Sequence, residues 1–106
     1  MICRSIGYSA LLGATVALAW SAPAKAEDLK ARSWAAGCAA CHGTGGRSDN
    51  EIPPLAGRNK DDLFMMLMEF KAGERKTATV MHQHAKGYTD EQLERIAAFY
   101  SRQPRR

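Results

Sequence analysis

The sequence predicts an all-α domain of three to four helices, broken by two long loops that have little of their own to pack on. Three observations predict it. Apolar residues recur at helical spacing in three separate stretches. No stretch shows the apolar/polar alternation of a half-buried strand. Between the periodic stretches glycine, proline, aspartate and asparagine collect, and regular signal is lost.

The N-terminus, MICRSIGYSALLGATVALAWSAPAKAE, has the layout of a secretory signal. Arg4 supplies a positive start, Ala10 to Trp20 an apolar run, and Ala24-Lys25-Ala26 an A-x-A cleavage signal that places the cut before Glu27. The run falls short of the about 20 apolar residues of a spanning helix, so stable membrane insertion is not expected. An uncleaved anchor is the alternative reading. Cys3 leaves with the signal. The mature domain is then residues 27–106 and lies in the periplasm, an oxidising compartment. Arg4 and Lys25 also leave, so 13 basic residues face 11 acidic ones, and the net charge falls from +4 to +2. There is no basic block of the kind that binds nucleic acid. Arg105 and Arg106 read as a solvated tail, and the mixed charges from Glu69 to Lys76 as a solvated face. A domain of 80 residues buries little core and needs a staple.

The first helix is predicted over EDLKARSWAAGCAACHG. Its alanines favour helix, and Leu29, Ala31, Trp34 and Ala35 form its apolar face. Gly43, Gly45 and Gly46 end it. A loop of about 17 residues follows, GTGGRSDNEIPPLAGRN, a length that in a compact domain marks a segment wrapped around something. The second helix starts near Lys60. Asn59 caps it, Asp61 and Asp62 favour its positive end, and Gly73 closes it. Its stripe is Leu63, Phe64, Leu67 and Phe70. A second loop, ERKTATVMHQHAKGY, leads to the last helix, which is framed by a capping box of Thr89 and Gln92. Leu93, Ile96, Ala97 and Tyr100 form its face, flanked by Phe99.

The chemistry is concentrated in CAACHG, residues 38–43. For exported paired cysteines a plain disulfide is the first expectation. A thioredoxin-like redox pair expects a βαβ setting, and no strands are predicted. A zinc site needs about four ligands, and Cys38, Cys41, His42, His82 and His84 suffice in number. C-x-x-C-H is also the signature of covalent c-type haem attachment. In that reading Cys38 and Cys41 form two thioethers along one edge of the ring, and His42 is an axial ligand to iron. A single haem c also supplies the staple and an apolar body for two long loops to enclose.

Four stretches, CAACHGTGGRS, IPPLAGR, LFMMLMEFKAGER and ATVMHQHAKGYTDEQLERIAAFYSRQ, together resemble the class I cytochromes c over essentially the whole mature chain. They are most similar to the branch that holds cytochrome c4 and the haem subunit of flavocytochrome c sulfide dehydrogenase. The resemblance implies a class I cytochrome c fold around one covalent haem, with the first and last helices crossing beside it. Trp34 and Phe99 match the aromatic positions at that crossing. Lys30, with Ala31 beside it, stands where the family often has glycine.

Several residues can supply the second axial ligand. Met65, Met66 and Met68 fall in a helix, where methionine commonly fills core. Met81, His82 and His84 fall in the second loop. The family's methionine ligand lies at the position of Met81, 39 residues after His42. The family also holds the proximal histidine by a proline carbonyl from the first loop; Pro53 matches that pattern, with Pro54 as the alternative. Arg58 is a candidate partner for a haem propionate. Tyr88 is expected to pack. The expected function is one-electron transfer, without substrate turnover at the haem itself. The chain would accept electrons from a flavoprotein sulfide dehydrogenase as its cytochrome subunit. Alternatives are a free shuttle to a terminal oxidase or reductase, and a five-coordinate ligand-sensing haem.

Overall fold

A computed structural model describes residues 27–106, together with Gly13; the rest of the predicted signal segment lies outside the described residues. Four α-helices make up the fold: α1 (Leu29–His42), α2 (Lys60–Ala72), α3 (Val80–Lys86) and α4 (Asp90–Ser101). A short 3-10 turn, Thr44–Gly46, follows α1. There are no strands among the described residues. This is the all-α architecture that the sequence predicts.

Helix α1 begins at Asp28, whose carboxylate accepts from the Ala31 N–H at 3.0 Å. Its buried stripe is Ala31, Ala35 and Cys38. Leu29, expected on that stripe, is 67% exposed. The reason is angular: at 3.6 residues per turn, Leu29 lies about 160° around the helix from Ala31 and about 120° from Ala35. Small residues therefore make the contact face of α1. Ala35 and Cys38 pack with Leu93, Ile96, Ala97 and Tyr100 of α4. Lys30 is exposed and Ala31 is fully buried, so an alanine provides the small side chain on this face.

The two helices are tied together at both ends. At one end Arg95 of α4 donates to both carboxylate oxygens of Asp28, at 2.7 and 2.6 Å. The same guanidinium lies 4.8 Å from the Trp34 ring centroid. At the other end the Tyr100 hydroxyl donates to the Ala35 carbonyl. Gly46 sits against Tyr100, with φ of +75°. A Cβ there would approach the Tyr100 ring to 2.6 Å and the Ala56 nitrogen to 3.2 Å. The Gly46 carbonyl accepts from Leu55 at 2.8 Å and Ala56 at 3.1 Å, which closes the first long loop back onto the end of α1.

Helix α2 starts where Asn59 accepts from the Asp61 and Asp62 N–H groups, and it ends at Gly73 in the left-handed conformation. Leu63 is buried in the core; Phe64, Leu67 and Phe70 are half-buried. Helix α4 carries the full capping box of Thr89 and Gln92. Its buried face is Leu93, Ile96, Ala97 and Tyr100, with Phe99 edge-on to Tyr100 at 5.2 Å.

The second predicted loop is only partly a loop. Val80 to Lys86 form α3, packed on α2. The sequence hides this helix because it is seven residues long, opens on β-branched residues and has no side-chain cap from Thr79. A helix this short is not stable alone and forms through packing. Ala85 is buried, and the His82 ring lies 6.1 Å from Phe70 of α2. Lys71 of α2 donates to the Tyr88 carbonyl at 2.9 Å and pairs with Asp90 at 2.6 Å, which holds the turn between α3 and α4.

Two outcomes follow. Gly46→Ala places a Cβ inside contact distance of Tyr100 and strains a left-handed residue, so it should destabilise the fold by about 1–3 kcal/mol in thermal unfolding followed by circular dichroism. Asp28→Ala removes a carboxyl that the Arg95 hydrogen bonds, helped by the Ala31 N–H, hold well below its ordinary value of 3.8. A depressed carboxyl stabilises fully above its unfolded value and loses that contribution as pH falls through the folded value. The variant should melt below wild type at pH 7, and the gap should narrow as the pH is taken below 3.8. An equal gap at all pH values would count against the pair.

Candidate functional site

The helices leave a cavity of about 490 Å³ between α1, α2, α3 and α4. That volume falls among ordinary cofactor pockets. Its wall is mostly apolar, with Leu63, Leu67 and Phe70 from α2 and Ile96 and Ala97 from α4. The polar groups sit at particular places. Cys38, Cys41 and His42 enter from the last turn and a half of α1, with Gly37 beside them. Ile52, Pro53, Leu55 and Arg58 close the side made by the first loop. Met81 and His84 enter from α3, one turn apart.

Both thiols are free, Cys38 buried and Cys41 exposed. Burial pushes the Cys38 thiol above its ordinary pKa. Burial likewise raises the Tyr100 phenol, which stays a neutral donor to Ala35. The His84 Nε2 lies 3.9 Å from the Cys38 sulfur. Among the described residues no three His, Cys, Asp or Glu side chains are grouped as metal ligands, so the zinc alternative lacks a donor set.

The His42 imidazole is held by one contact. Its Nδ1 is 2.6 Å from the Pro53 carbonyl oxygen. A carbonyl only accepts, so Nδ1 carries the proton and donates it. The lone pair is therefore on Nε2, the nitrogen not used by Pro53. Pro53 is exposed and Pro54 does not line this cavity, so of the two prolines it is Pro53 that makes the contact. Arg58 is half-buried on the cavity wall, with one guanidinium nitrogen 3.9 Å from the Met66 sulfur.

The structure thus brings Cys38, Cys41, His42, Pro53, Arg58 and Met81 to one cavity. Of the other ligand candidates, Met66 and His84 also line it, and His82 does not. Met65 is 56% exposed on the surface of α2. Tyr88 packs as expected, its hydroxyl donating to the Trp34 carbonyl at 3.3 Å. Arg75 is where the reading of a solvated face fails. It pairs with Glu69 at 2.7 Å, lies 5.2 Å from the Phe70 ring centroid and reaches the cavity wall. No local signal marks it, because its role depends on the turn after Gly73 folding back.

Comparison with known proteins supplies the family. Residues 25–99 match the family model described as cytochrome c oxidase, cbb3-type, subunit III. The chain belongs to this family of cytochrome c domains. Its similarity to the cytochrome subunit of sulfide dehydrogenase from Chlorobaculum tepidum is 46% identity over 63 residues, 59% of this chain and 56% of that protein. It is 39% identical over 69 residues to cytochrome c-554(548) of Halomonas halodenitrificans, covering 62% of this chain and 83% of the relative. It is 38% identical over 69 residues to cytochrome c4 of Thiocapsa roseopersicina, covering 64% of this chain and 35% of the relative. The aligned part of this cytochrome c thus spans little more than half of the first relative.

The cofactor of the family is haem c, and the site fits it. The cavity is apolar and of cofactor size, and the motif's two thiols and imidazole stand on its wall. The imidazole also has its tautomer fixed so that a lone pair is available on Nε2.

Proposed function

We propose that this cytochrome c is a periplasmic one-electron carrier whose iron ligands are His42 and Met81. We infer further that it serves as the cytochrome subunit of a flavoprotein sulfide dehydrogenase. The observation that carries the ligand reading is the 2.6 Å contact from His42 to Pro53, which leaves Nε2 as the free nitrogen in a cavity that Met81 also lines. The similarity to the cytochrome subunit of sulfide dehydrogenase supports the partner. The family match begins at residue 25, next to the proposed cleavage before Glu27, which supports a mature domain of residues 27–106.

Haem c, when bound, supplies a ferric/ferrous couple that takes up and releases one electron. The residues have distinct tasks. Cys38 and Cys41 hold the group through thioether bonds. Pro53 fixes the His42 ring and, by accepting from Nδ1–H, makes Nε2 a stronger donor. The Met81 thioether is neutral and soft, and in place of a second imidazole it raises the potential. Leu63, Leu67, Ile96 and Ala97 keep water out. Arg58 stands on the cavity wall to meet a propionate.

A free shuttle is the second reading. The match to 83% of cytochrome c-554(548) favours it, because a domain like this one makes up most of that relative. The two are separated by affinity isolation from the native periplasm: a subunit brings a flavin-containing protein that sulfide reduces, and a shuttle does not.

Absorption spectra test the ligands. Met81→Ala should lose the weak far-red ferric band of methionine–iron ligation with the haem still attached, while Met66→Ala keeps it. The reverse result would transfer the role to Met66. Cys38→Ser should give little folded holoprotein, since the haem is the staple of a small core; a stable helical apoprotein would contradict this.

A further inference from the structure

Arg105, though exposed, is anchored to the domain and does not run free. Arg105 lies across Gly57, donating from its guanidinium to the Gly57 carbonyl at 3.0 Å. Gly57 has φ of +69°, and a Cβ there would meet the Arg105 stem at 2.6 Å. From the other side Arg47 donates to the Pro104 carbonyl at 3.4 Å. These contacts bring Arg47, Arg58, Arg105 and Arg106 around a cleft of about 820 Å³. Asp49 is the carboxylate side chain on its wall. All 11 acidic residues of the chain lie within the described residues, yet none of the ion pairs there involves these four arginines. Each guanidinium has five N–H donors, so the anchoring contacts leave most of them open.

We propose that this arginine cleft is a docking site for a carboxylate-rich surface on the protein that exchanges electrons with the domain. Arg58 belongs to the wall of both the cleft and the cofactor cavity, so a partner seated on the cleft is one side chain from the cofactor. Electron transfer needs that closeness. Arg47, Arg105 and Arg106 are exposed around an open cleft, which suits several carboxylates on a broad surface more than one small anion in a closed pocket. The positive charge is local. With a mature net charge near +2, the attraction comes from this cleft and not from the molecule as a whole. Complementary charge of this kind raises the rate of encounter and fixes orientation.

The test follows oxidation of the ferrous holoprotein by hexacyanoferrate(III), one electron passing from the haem iron to the hexacyanoferrate iron. Wild type is compared with Arg105→Gln/Arg106→Gln and with Arg47→Gln, all checked for attached haem and unchanged helical signal. At low ionic strength the double variant should react about three- to tenfold more slowly, and the difference should fade with added salt. Polyglutamate should slow the wild type more than free glutamate at equal carboxylate concentration, and should lose this advantage in the double variant. Equal rates in wild type and variant at low salt would overturn the proposal. Equal inhibition by polymer and monomer would do so too, by making the cleft a small-anion site. The inference rests on the haem reading for the partner's electron exchange and for this readout, and on the cleft's charge alone for its binding of carboxylates. Should the protein carry no haem, that reading fails, and calorimetric titration of polyglutamate into wild type and double variant still decides the cleft.

Discussion

The packing of α1 against α4 is the constraint on which everything else rests. It depends on side chains that are small on one helix and large on the other. Ala31 and Ala35 let α4 come close, and Leu93, Ile96 and Tyr100 fill the space. The Asp28–Arg95 pair ties one end, and Tyr100 on Ala35 ties the other. Cys38 is the third member of the same buried stripe. The helix contact therefore sets the rotation of α1, and that rotation brings Cys38, Cys41 and His42 to the cavity wall. A register shift of one residue would turn the stripe by about 100° and carry the motif away.

The core alone is thin for such a domain. Its large buried side chains are Leu63, Leu93, Ile96 and Tyr100, and much of the rest is alanine. The larger apolar groups, Phe64, Met66, Leu67 and Leu55, are half-buried and packed around the core cluster. Several of them line the cavity. The interior is thus arranged around a body that the chain does not itself supply. A domain of this size commonly needs such a staple, and haem c meets the need by covalent attachment.

What was legible in the sequence follows from how local each signal is. Helices α2 and α4 carry their own boundaries in Asn59, Gly73, Thr89 and Gln92, and those boundaries are observed. The C-x-x-C-H spacing within one helix fixes its residues relative to one another before any tertiary contact forms. Leu29 failed because apolar character says nothing about which face meets a neighbour. Helix α3 was hidden because its cause is not local: Phe70 and Lys71 on α2 hold it. Arg75 and Arg105 read as solvated charges, since neither sequence neighbourhood shows the turn that folds each one back. The candidate site was legible where it is a motif, and obscure where distant loops complete it.

The properties of α3 bear directly on the proposed ligand. A seven-residue helix without a side-chain cap has little stability of its own. It is held at its far end by Lys71 on the Tyr88 carbonyl, and along its length by Ala85 and His82. Met81 lies in its first turn, beside His82, which packs on Phe70 of α2. The first turn of α3 therefore rests on packing against α2 and not on a side-chain cap of its own. A bond from the Met81 sulfur to iron would supply a further anchor, just as the two proposed thioethers would for α1. In this arrangement the Pro53 contact holds His42, and a bond to iron would add to the packing that brings Met81 to the cavity wall. The two axial ligands of the proposed site thus differ in their support: the α1 side begins at a side-chain cap and is held by the Pro53 contact, and the α3 side has no side-chain cap and would gain most from the bond to the cofactor.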